Sequence, residues 1–172
     1  MKGLIVFAVL VAALLLQTTV AGLSLGASSS VNFVLIAVVY LALSMGALTG
    51  LLSGAAGGLA QDAIAGSIVG VGGLSKTLVG FLVGVLGAQF IVSQPVPRFV
   101  MFVGATFLHE LCFQGLHSVV EGQAFQFGYR SVLAQAALNG VIGIMAFQVV
   151  EGAPGMVQRR EARRSIFGRR KF

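Results

Sequence analysis

The chain has 172 residues, of which 57% are hydrophobic and 9% charged, against the ~25% charged residues of a water-exposed domain. This composition excludes a soluble globular protein and leaves nothing from which a second, water-facing domain could be made. The net charge of +6 belongs to the C-terminus. Residues 157–172 hold seven basic side chains and one acid, Glu161, while four basic and four acidic residues cancel over the remainder. The high isoelectric point therefore describes a tail, and no nucleic-acid partner is expected. The single cysteine, Cys112, excludes an internal disulfide.

Apolar runs near the ~20 residues that cross a bilayer recur at 3–21, 31–45, 47–65, 74–93, 99–121 and 130–150. The pattern predicts an all-α integral membrane protein, a six-helix transmembrane bundle over residues 1–156 with a basic cytoplasmic tail at 157–172. The first run follows a lone Lys2 and is succeeded at once by another span, so it is read as a span and not as a cleaved signal peptide. The second and third runs are separated only by Ser44–Ala47 and form a tight hairpin. Two prolines in Gln94-Pro95-Val96-Pro97-Arg98 mark a break before the fifth. Basic residues favour the cytoplasmic side. With the tail inside, Lys2 and Arg98 fall there too, and Lys76 and Arg130 fall opposite, which places both termini in the cytoplasm.

Glycine occurs 24 times. Gly50, Gly54 and Gly58 repeat at i+4 in the third run, as do Gly80 and Gly84 in the fourth and Ala8 and Ala12 in the first. Small residues at this spacing let backbones approach closely in lipid. Such faces either hold the bundle together or receive a partner helix, and Ala8, Ala12, Gly50, Gly54 and Gly58 are the candidates for the second role.

Polar residues inside the runs are few. Asp62 and Lys76 stand at the two ends of one loop, either as solvated boundary charges or as a structural pair across it. In the fifth run Glu110, Gln114, His117 and Glu121 fall on one helical face, with His109 beside them. That stripe is expected to face other spans, water or a partner. Arg130 is the expected counter-charge of Glu121, and Gln135, Asn139 and Gln148 extend polarity along the sixth run. Two histidines at i and i+8 lack the spacing of a metal site. No nucleophile triad, phosphate loop or paired-carboxylate arrangement occurs, so neither catalysis nor a cofactor is expected. In the tail, Arg159, Arg160, Arg163 and Arg164 line one side if helical, and suit the anionic inner leaflet at about 1 kcal/mol per basic residue.

Leu16-Gln17-Thr18-Thr19, Val39–Gly46, the Gly-rich third run ending Gln61-Asp62-Ala63, Gly66 and Gly70, Leu74 and Lys76–Gly80 occur in an order that resembles the rod shape-determining MreD family. The resemblance covers roughly residues 10–85. Val31-Asn32 stands where the family often has Pro-Asp, and Gly70-Val71-Gly72 where it has Gly-Leu-Asn. The resemblance implies a non-catalytic scaffold of the bacterial cell-elongation (rod) complex in the inner membrane. The implied partners are MreC, the MreB cytoskeleton and the elongation peptidoglycan synthases. It also implies a fold similar to the substrate-binding subunits of energy-coupling-factor transporters. The alternative on that fold is a small-molecule (vitamin) binding subunit, with the fifth-run stripe lining its cavity.

Overall fold

The computed structural model describes the backbone of residues 2–23, 31–90, 94–122 and 128–168, with side-chain surroundings for those up to residue 150 other than 21–23. Six helices follow one another: α1 (Lys2–Leu23), α2 (Phe33–Met45), α3 (Ala47–Ala65), α4 (Val71–Gln89), α5 (Pro95–Glu121) and α6 (Tyr129–Gly168). Four of them, α1, α4, α5 and the Tyr129–Val150 part of α6, are long and apolar enough to cross a membrane. The chain is a helical membrane protein.

The helix at the centre is the shortest. At 13 residues, α2 is about 20 Å long, less than the ~30 Å of hydrocarbon in a bilayer. It is apolar all round, as a helix enclosed on every side must be. Val34, Val38, Val39 and Leu41 are wholly buried, and α2 packs against each of the other five helices. Its Leu35, Val39 and Ala42 join Val79 and Val83 of α4 and Phe102 and Ala105 of α5 in the main core.

Glycine explains the closest packing. α3 and α4 pair antiparallel, so a side-chain carbon on Gly50 would land on the Gly80 carbonyl, one on Gly54 on the Lys76 carbonyl, and one on Gly58 on Gly73 Cα. Gly84 meets Ala47 in the same way. The Gly50, Gly54 and Gly58 face, a candidate for a partner helix, is thus filled by α4 of the same chain. Ala8 and Ala12 differ, being exposed on the outer side of a peripheral α1.

Two helix starts depart from the sequence expectation. α4 begins at Val71 instead of 74, because the glycines that read as loop form its first turn. α5 begins at Pro95 instead of 99, since proline is well suited to the first helical turn, where its missing N–H costs nothing. α6 continues as helix past Pro154 to Gly168. The backbone of Arg159, Arg160, Arg163 and Arg164 is helical, and their side chains lie outside the described residues.

Gly54→Leu is expected to prevent normal α3–α4 packing, lowering the unfolding midpoint in detergent by the several degrees that an overpacking cost of about 1–3 kcal/mol produces. Gly104→Ala, where an added carbon meets nothing within 4 Å, should leave the midpoint within a degree or two.

Candidate functional site: a polar core at helix ends

The polar residues of the interior collect around two helix N-termini. A helix leaves its first N–H groups without internal partners, and in a membrane no water is at hand to satisfy them. At α4 this is solved by Asp62, from the last turn of α3. Its Oδ2 accepts the backbone N–H groups of Gly70 at 3.0 Å, Gly72 at 2.9 Å and Gly73 at 3.1 Å. A negative charge here also opposes the positive end of the α4 dipole. The approach requires glycine twice over. Gly70 lies at φ 112°, and a side chain on Gly72 would occupy the place of Asp62 Oδ1.

At α2 three helices cooperate. Gln17 of α1 accepts the Phe33 N–H through Oε1 at 2.8 Å and donates through Nε2 to the Val31 carbonyl at 3.3 Å. Asn32 caps its own helix, its Oδ1 taking the Leu35 N–H at 3.0 Å. Asn139 of α6 accepts the Asn32 backbone N–H at 3.1 Å and donates to Thr106 Oγ1 of α5 at 3.2 Å. The Asn32 Nδ2 amide faces His109 Nε2 at 3.4 Å. Asn139, Thr106 and His109 are all buried.

Lys76 connects the two clusters. Its side chain is only 2% exposed, and its ammonium interacts electrostatically with Asp62, Glu110 and His109. Asp62 is 3% exposed. Both charges are therefore interior groups and not solvated boundary ones. The hydrogen bonds to the Asp62 carboxylate come from amides, and its relation to Lys76 is electrostatic. Glu110 supplies a second carboxylate, with its side chain 14% exposed, and Gln114 Nε2 donates to it at 3.2 Å.

The remaining stripe residues are half open. His117 Nδ1 lies 3.3 Å from Glu121 Oε2, one turn along the same helix. Glu121 thus finds its near neighbour in α5, where Arg130 was the expected counter-charge, and Arg130 is exposed at the start of α6. The sequence singled out Asp62, Lys76, Glu110 and Gln114, which the fold brings together. It passed over Asn32, Thr106 and Gln17, and set His109 aside as off the stripe. Asn32 directly before an apolar run is a helix N-cap signature, and that signal was available. Asn139, which extends polarity along the sixth run in the sequence, binds Thr106 and Asn32. Among the described residues no three His, Cys, Asp or Glu side chains gather as metal ligands.

The family model for the rod shape-determining protein MreD matches residues 1–152. The chain belongs to the MreD family. The match covers α5, the polar core and α6 as far as residue 152, well past the 10–85 region in which the resemblance is plainest. It gives the chain a role in rod-shape determination, within a family that is structural and not an enzyme family. No curated protein and no solved structure matches the sequence.

Asp62→Ala would strand three backbone N–H groups at the α4 N-terminus. Leaving even one or two of them unpaired costs about 1–3 kcal/mol each, so this variant should lose its cooperative unfolding transition. Asp62→Asn keeps an acceptor oxygen and gives up the charge, and is expected to retain the fold at a lower midpoint. Circular dichroism melts of both in detergent check the ordering.

Proposed function

We propose that this protein is a non-catalytic membrane scaffold of the rod complex in the bacterial inner membrane. In this reading all six helices lie in the membrane and both termini are cytoplasmic. The protein binds MreC, and through it connects to the MreB cytoskeleton and the peptidoglycan synthases of the lateral wall. The arginine tail lies along anionic lipid. The six-helix arrangement is compatible with the fold of energy-coupling-factor substrate-binding subunits, and that likeness forms part of the proposal.

The observation that carries the reading is the contrast between the two sets of small residues. The glycines of α3 are spent inside the chain, whereas α1 presents Ala8 and Ala12 outward. Beside them an apolar groove of about 290 Å³ runs between α1, α2 and α6, with Ala13, Ala37, Tyr40 and Ala146 in its walls. A single membrane-spanning helix suits such a surface, because small residues let it approach the backbone of α1. The vitamin-binding alternative would draw on Glu110, Gln114 and His117, of which Gln114 donates to Glu110 and His117 lies against Glu121 within α5 itself.

Ala8→Leu and Ala12→Leu are expected to weaken copurification of MreC at least tenfold, about 1.4 kcal/mol, while membrane insertion and the unfolding midpoint stay as in the parent. An undiminished complex from the double variant would remove α1 as the contact.

A further inference from the structure

Two polar side chains of α5 each bury an atom that no protein group pairs with. The first is His109. Asn32 Oδ1 is committed to the Leu35 N–H, which fixes the orientation of the amide and turns its Nδ2 toward the imidazole. An amide nitrogen only donates, so His109 Nε2 accepts. The neutral ring then carries its proton on Nδ1. That Nδ1 is buried without a hydrogen-bond partner.

The second is Gln114. Its Nε2 donates to Glu110 Oε2, and its Oε1 is a buried acceptor with no partner. Beside them Lys76 interacts electrostatically with Asp62, Glu110 and His109. Asp62 Oδ2 already takes three amide N–H groups. This part of α5, packed near Lys76, therefore holds one buried donor in want of an acceptor and one buried acceptor in want of a donor.

The chemistry selects what fits. An anion would satisfy His109 and Lys76 and be repelled by Asp62 and Glu110. A metal cation would suit the carboxylates and be repelled by Lys76. A small neutral molecule that both donates and accepts meets every requirement, and buried water typically makes about three such bonds. We propose that water occupies the space between Lys76, His109, Glu110 and Gln114, and that it exchanges with the aqueous phase along the α5 stripe. His117 and Glu121, with side chains 37% and 34% exposed, continue the polar line from Gln114 to the end of α5. The opposite side of the helix carries Cys112 and Val119, the latter 83% exposed.

Two measurements on the full chain in lipid bilayers test this. Solid-state NMR of the unmodified, nitrogen-15 histidine-labelled protein reports the ring tautomer and the transfer of magnetisation from water. We expect His109 as the Nδ1–H form, with water transfer to that proton within milliseconds. Cysteine labelling tests the route. In a Cys112→Ala background, Gln114→Cys should react with a membrane-impermeant, charged methanethiosulfonate reagent at least tenfold faster than Cys112 of the unmodified chain, which lies at similar depth on the other side of α5. A His109 proton on Nε2, a ring that receives nothing from water, or a Gln114→Cys thiol no faster than Cys112 of the unmodified chain overturns the proposal.

Discussion

The constraint on which this structure depends is the need to satisfy helix N-termini away from water. α2 and α4 both begin inside the protein. Each unpaired N–H there would cost what a lost buried hydrogen bond costs. One end is closed by a carboxylate, the other by the amide side chains of Gln17, Asn32 and Asn139. Because Asp62 comes from α3, Gln17 from α1 and Asn139 from α6, closing the helix ends also fixes which helices are neighbours. Apolar packing supplies the contact area, but Val, Leu and Ala faces in lipid discriminate poorly between partners. The polar caps make the arrangement specific.

Much of this was legible in the sequence, and the limits of legibility have physical causes. The helix order, the α2–α3 hairpin and the residues 47–65 for α3 follow from apolar runs and breakers. The Gly50–Gly54–Gly58 pattern announces close packing, but a spacing of four cannot say whether the neighbour belongs to the same chain. Only the antiparallel register of Gly50 on Gly80 and Gly54 on Lys76 answers that. Asp62 and Lys76 read as a charge pair because their side chains are the conspicuous groups. The backbone amides that receive Asp62 carry no letter in a sequence. Neutral Asn32, Thr106 and Asn139 are inconspicuous for a related reason, since charge draws the eye and cap geometry does not.

The surfaces divide in a way that suits an assembly component. α3 and α4 use up their small residues on each other, forming the rigid half of the molecule. α1 joins the core through Leu10 and Ala13, with Val6, Val9 and Leu14 packed beside them, and hydrogen-bonds through Gln17. α5 is polar on one side and apolar on the other. A protein that belongs to a shape-determining complex thus has one firmly packed half and two helices whose outer faces are open to other molecules.

The shortness of α2 bears on how the chain enters a membrane. A helix of 13 residues has no means of reaching both interfaces by itself. α3, diluted by glycine and carrying Asp62, is a weak insertion signal despite its 19 residues. Neither segment is a self-sufficient span. The pair becomes stable in lipid only when α4 arrives to cover the glycines and receive the carboxylate. Residues 33–89 are therefore one unit of packing, in which two helices depend on the one that follows them in the chain.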